Sequence, residues 1–190
     1  VTVPYSVSSI TVGATVNNSE ASVTGTGNKT LSVGENKINV VVTAGDKTTK
    51  TYTITVTREK DTDNTLKSLK LTSCTLSPTF SSSTNSYTCT VENSVTSTTV
   101  TAGANSSVAT ITGTGVTNLS VGTNTIKVNV TAQNGSVKTY TVVVTRKPNS
   151  DATLKSLGVT NKTITPTFDK DTLLYTLTVP YSVDNITITG

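Results

Sequence analysis

The chain has 190 residues, 33% of them apolar, with 15 Lys and Arg against 11 Asp and Glu and a formal net charge of +4. That apolar share fills one or two small cores, chiefly with Val, Ile and Leu, and the scattered lysines form no basic stripe of the kind that nucleic acid requires. No apolar run approaches the ~18 residues of a membrane span, and "VTVPYSVSSI" lacks the basic and apolar regions of a signal peptide, so a secreted protein would carry its targeting signal outside this chain.

The 45 Thr and 22 Ser, with abundant Val, point to strands, because β-branched side chains fit a pleated surface. No window of twelve residues places apolar side chains at the helical period. The expected class is all-β.

In chain order, the first landmarks are "VPYSV" at 3–7 and "LSVG" at 31–34, followed by "TKTYTITVTR" at 49–58. In that last stretch Thr49, Thr51, Thr53, Thr55 and Thr57 occupy every second position and would form the outer face of a strand. The polar run "EKDTDN" at 59–64 reads as a linker. Beyond it, strands are predicted at about 65–71, 85–92, 97–102, 107–112, 116–120, 124–132 and 137–146, separated by turn residues at the spacing of a sandwich. The last two form a hairpin that folds back at Gln133-Asn134-Gly135-Ser136, where Asn-Gly suits a two-residue turn. Alternation assigns Ile126, Val128, Val130, Tyr140, Val142 and Val144 to the core and Thr139, Thr141, Val143 and Thr145 to the outer face. "KPNSDA" at 147–152 reads as a second linker.

Shifted by 88 residues, the chain falls on itself without a gap. Leu31–Gly34 meets Leu119–Gly122, and Tyr52–Arg58 meets Tyr140–Arg146. Thr65–Leu69 meets Thr153–Leu157, and Pro78–Phe80 meets Pro166–Phe168. "VPYSV" at 3–7 matches Val91–Val95 and then "VPYSV" again at 179–183. The predicted organisation is the C-terminal part of one repeat in 1–59, a complete repeat in 60–148 and the N-terminal part of a third in 149–190. The chain then reads as a window on a longer repeat polypeptide. The alternative is strand complementation, in which 149–190 of one copy complete 1–59 of the next. Against it stands a duplicated stretch of about fourteen residues that would compete for a single slot.

Leu66, Leu69, Leu71, Leu76, Pro78, Phe80, Tyr87 and Val91, followed by Val121-Gly122, Asn124, Ile126, Val128, Val130, Gly135, Tyr140, Val142, Val144 and Arg146, carry a resemblance. The pattern resembles the bacterial cadherin-like β-sandwich domain, an immunoglobulin-like module found in tandem in large cell-surface proteins. The resemblance implies tandem sandwiches in an extracellular protein of a bacterial cell surface. Its implied role is that of a stalk or fibre segment in adhesion or surface assembly, with neighbouring repeats, and identical chains in a fibre, as partners. The alternative is a carbohydrate-binding accessory module of an adhesin or surface enzyme. The calcium ligands of true cadherins do not come with the resemblance.

The residues offer little chemistry. With no histidine, the usual general base and the commonest zinc ligand are missing, and of the acids only Asp63 recurs, as Asp151. No enzyme and no cofactor is expected. "DTDN" at 61–64 gathers two carboxylates, short of the six to eight oxygens calcium prefers. Eight Asn-x-Ser/Thr sequons are near the number that this composition produces by chance. Phe80 with Phe168, Tyr52 with Tyr140, and Tyr87 with Tyr175 are matched pairs in core phases. Tyr5 and Tyr181 have Asn93 as their counterpart, which marks a rim position and a candidate partner contact. Cys74 and Cys89 stand together in one repeat, and Lys162 and Leu177 replace both in the next. In a secreted protein the pair reads as a disulfide, the alternative being two reduced buried thiols.

Overall fold

A computed structural model describes residues 1–190 and is entirely β, with fifteen strands. The chain separates into two units, Val1–Lys147 and Pro148–Gly190. The first holds two apolar cores.

The larger core lies between two sheets built from residues 66–146. One has the order β10(Thr110–Thr112), β12(Gly122–Thr131), β13(Val137–Arg146), β8(Ser86–Val91), and the other β11(Gly115–Asn118), β9(Ser97–Ala104), β7(Leu66–Leu71). Alternation explains why these segments pack. Ile126, Val128 and Val130 of β12 and Tyr140, Val142 and Val144 of β13 all point inward and are buried. Leu66, Leu69 and Leu71 of β7 meet them from the opposite sheet. On the outer face Thr139 and Thr145 are exposed, while Thr141 and Val143 are half-buried.

The hairpin loop differs from the expected two-residue turn. Thr131 pairs with Val137, and Ala132 N–H donates to Ser136 O at 2.9 Å, so three residues form the bend. Gly135 N–H donates to Ala132 O, and Gly135 takes the left-handed φ of 91°. Only one positive φ is needed here, and glycine supplies it without steric cost. Gly113 is constrained more severely: a Cβ on it would stand 2.0 Å from Lys127 O.

The smaller core follows the same plan. β3(Ser22–Thr24), β4(Gly27–Thr30), β5(Gly34–Thr43) and β6(Thr49–Arg58) each lie 88 residues before β10, β11, β12 and β13. β1(Thr2–Val3) runs parallel to β6 as the end of β8 runs along β13, and β2(Ser9–Val12) pairs with β4 as β9 pairs with β11. The expectation of a packed Tyr52 is corrected here, because its side chain is 51% exposed. The Tyr140 ring is fully buried under Leu66 and residues 80–82, and residues 1–59 contain no counterpart of that segment.

Residues 148–190 reproduce local pieces of 60–102. β14(Gly158–Val159) pairs with β15(Ile188–Thr189) as Lys70 and Leu71 pair with Thr101 and Val100. A cis peptide precedes both Pro78 and Pro166, and the Phe168–Tyr175 stack at 6.1 Å mirrors Phe80–Tyr87 at 6.0 Å.

Candidate functional site

The features beyond the core are polar anchors at the two ends of the 66–146 sandwich and one covalent cross-link. At the entry end, residues 61–64 are folded onto the sandwich and do not form the free linker that their polarity suggests. Asp61 N–H donates to Gln133 Oε1 at 3.0 Å, and Asp61 O accepts from Asn134 N–H at 3.0 Å. The Asp61 carboxylate accepts from the Ser106 hydroxyl and from Asp63 N–H. Those bonds favour the charged form, with the serine as the leading cause, and hold the carboxyl below its ordinary value of 3.8. Asp63 caps Thr65 through both its backbone N–H and its hydroxyl, and Asp151 does the same for Thr153. These oxygens serve as hydrogen-bond acceptors along the chain, and no three Cys, Asp or Glu side chains gather as a metal-binding set.

At the exit end, Arg146 Nε and Nη2 donate to Asn93 O at 2.9 and 2.7 Å, and Nη1 donates to Leu119 O at 2.8 Å. Arg58 repeats this clamp on Tyr5 O and Leu31 O. Asn124 Nδ2 donates to Ser120 O, Gly122 O and Val144 O, and Asn36 repeats that on Ser32 O, Gly34 O and Val56 O. The recurring Gly, Asn and Arg of the sequence pattern are therefore parts of a structural lock. Lys147 N–H donates to Val91 O at 3.0 Å, which ties the departing chain to β8. Sequence reading marked these residues by their recurrence but not by their partners.

Cys74 and Cys89 are bonded, with Cα atoms 5.9 Å apart, and the structure has no free cysteine. Cys89 lies in β8 and is buried, whereas Cys74 stands three residues past the end of β7. Beside the bond, Leu69, Leu71, Leu76 and Phe80 line an open groove of about 300 Å³.

The aromatic side chains of residues 60–147 lie in or against the core, with Tyr87 and Tyr140 fully buried and Phe80 packed upon them. Buried phenols need partners. Tyr140 Oη accepts from Leu66 N–H at 3.1 Å and donates to Ser82 O at 2.9 Å. Of the two candidate contact residues, Tyr5 is half-buried beneath the Arg58 guanidinium, 4.7 Å from its ring, while Tyr181 is 104% exposed in the separate unit 148–190. All five threonines of 49–57 are exposed. The ion pairs Lys37–Glu35, Lys147–Glu92 and Lys170–Asp171 lie on the surface, where such pairs contribute little. No helix is long and apolar enough to cross a membrane.

The model of the cadherin-like beta sandwich domain family matches residues 1–59 and, separately, 66–147. No curated protein matches the chain significantly. Among solved structures, the crystal structure of the protocadherin GammaB4 extracellular domain is similar to it, with 12% sequence identity and a TM-score of 0.34. That alignment covers 85% of this chain, which spans about a third of that protein (33%).

Proposed function

The chain belongs to the cadherin-like beta sandwich domain family, and we propose that it is a tension-carrying segment of an extracellular repeat protein. In this reading the modules act as spacers in a stalk or fibre on a bacterial cell surface, and they carry out no catalysis. Their neighbours in the same polypeptide are their principal partners.

One observation carries the reading: the path that tension would take through residues 66–146. The entry at Asp61–Thr65 sits beside the β12–β13 hairpin tip, and the exit follows the far end of β13, ten residues or roughly 33 Å away. Tension would pass from β7 through Cys74–Cys89 into β8, bypassing the loop between the cysteines. On that path β8 lies parallel to β13 from Cys89 opposite Val144 to Val91 opposite Arg146, while the pairs from Ser86 to Thr88 belong to the bypassed loop. Pulling the two ends apart therefore loads that ladder lengthwise, so its hydrogen bonds must fail together rather than one by one. The docked 61–64 segment and the arginine clamp stiffen the two ends. A disulfide fits the oxidising exterior where such a protein would work.

The test is a display experiment. A reporter adhesin is mounted on a cell surface through zero, one, two or four copies of the 88-residue repeat. The stalk reading predicts that capture of ligand on beads bearing a surface polymer layer rises with copy number and is indifferent to soluble sugars. Capture that ignores copy number but is competed by a sugar would replace the stalk with the carbohydrate-binding alternative.

A further inference from the structure

The Cys74–Cys89 bond stands where the core of the 66–146 sandwich meets solvent, and its two cysteines differ in access. Cys89 is 8% exposed and sits in β8 opposite the fully buried Val144 of β13. Cys74 is half-buried and lines the open groove of about 300 Å³ beside Leu71, Leu76 and Phe80, whereas Cys89 is not part of the groove wall. Exchange at a disulfide depends on which sulfur a thiolate can reach, and in this fold that is the sulfur of Cys74. Lys70 lines the same groove, is exposed and makes no ion pair, so the charge there is positive and draws an anionic nucleophile.

The loop between the cysteines is held by contacts that do not need the bond. β8 pairs with β13 from Ser86 to Val91, Ser77 and Thr88 exchange two backbone hydrogen bonds of 2.8 Å, and Tyr87 Oη donates to Ser81 O. The repeat counterpart takes the same local shape without cysteines. Lys162 and Leu177 occupy the two positions there, yet Thr165 and Thr176 exchange the same pair of bonds at 2.8 Å. Phe168 also stacks on Tyr175 at 6.1 Å, as Phe80 does on Tyr87 at 6.0 Å.

We propose that Cys74 is a thiol-modification site of the folded protein, at which small anionic thiols open the cystine while the sandwich stays intact. A thiolate attacks Cys74 Sγ from the groove, a new S–S bond forms between them, and Cys89 leaves as a thiolate that takes a proton from solvent. A second thiolate then attacks the outer sulfur of the mixed disulfide. Two small thiols are thereby oxidised to one disulfide, and Cys74 is released as a thiolate that also takes up a proton. Without the second thiolate, Cys89 attacks the adduct and restores the native bond. The inference goes beyond the stalk reading and does not depend on it.

The test is to incubate the 190-residue chain with millimolar glutathione under native conditions, quench in acid and map the adduct by mass spectrometry. The expected product carries glutathione on Cys74 and a free thiol on Cys89. Its rate of formation stays constant in urea below the unfolding transition, whereas exchange of the core β12 and β13 amides accelerates. Lys70→Glu slows the reaction by about threefold, the size of a surface charge effect. In Cys89→Ala the remaining Cys74 reacts with a maleimide about a hundredfold faster than the remaining Cys89 does in Cys74→Ala, because the buried thiol waits for an opening of the fold. An adduct on Cys89, or a rate that climbs with urea as steeply as exchange of those core amides, overturns the proposal.

Discussion

Truncating Val142 to Ala is expected to destabilise the larger sandwich far more than truncating its neighbour Thr141. Val142 is 0% exposed and sits between Ile126 on β12 and Tyr87 on β8. The change removes two buried carbon groups, about 1.6 kcal/mol of transfer free energy at ~0.8 kcal/mol each. The cavity left in a site walled by two strands and the facing sheet adds about 1 kcal/mol. The total of about 2–3 kcal/mol corresponds to a fall in Tm of roughly 10–20 °C for a unit of this size. Thr141 is half-buried on the opposite face of the same strand, and Thr141→Ala should stay within about 0.5 kcal/mol. Urea melts of the two variants, followed by hydrogen exchange of β12 and β13 amides, give both numbers. Equal losses would refute the assignment of the threonine face to solvent.

Three further outcomes are expected. Thr98 carries a buried hydroxyl with no hydrogen-bond partner, and its repeat counterparts are Ile10 and Ile186; Thr98→Val should raise the unfolding free energy of the 66–146 sandwich by about 1 kcal/mol in the same melts. Lys47 holds a left-handed φ of 73° where its counterpart is Gly135, so Lys47→Gly should slow exchange of β5 and β6 amides by about 1 kcal/mol. Asp61 has a depressed carboxyl pKa in the folded chain, so its contribution is fully present above the unfolded value near 3.8 and is lost as pH falls through the folded value. Asp61→Asn should therefore be less stable than the parent at pH 7 and lose less on acidification, as read by melts across that window.

Alternation and recurrence made most of this fold legible. The inward set Ile126, Val128, Val130, Tyr140, Val142 and Val144 is buried as its spacing predicts, because one strand face must meet the opposite sheet. Partner-dependent features were not legible. Tyr52 and Tyr140 occupy the same phase in nearly identical sequences, yet one is exposed and the other buried, since burial depends on whether a segment like 65–88 covers them. The Gln133–Gly135 bend kept its glycine but not the predicted turn length, which the Ala132–Ser136 pairing sets. The polar run 61–64 suggests solvent, while its hydrogen bonds to Gln133, Asn134 and Ser106 depend on loops distant in sequence. Arg146 and Asn124 recur because they bind backbone carbonyls, and recurrence alone cannot tell such a lock from a ligand site.

Pulling the chain from its ends in a single-molecule trap, oxidised and reduced, tests whether tension enters this module through the cystine and is borne by β8 along β13. A single cooperative rupture of the 66–146 sandwich is expected in both states. Reduction should lengthen the released contour by about 50 Å, the span of the 15 residues that the Cys74–Cys89 bond withholds at ~3.6 Å each. Gradual extension without a rupture, or steps of the same length in both states, would contradict it.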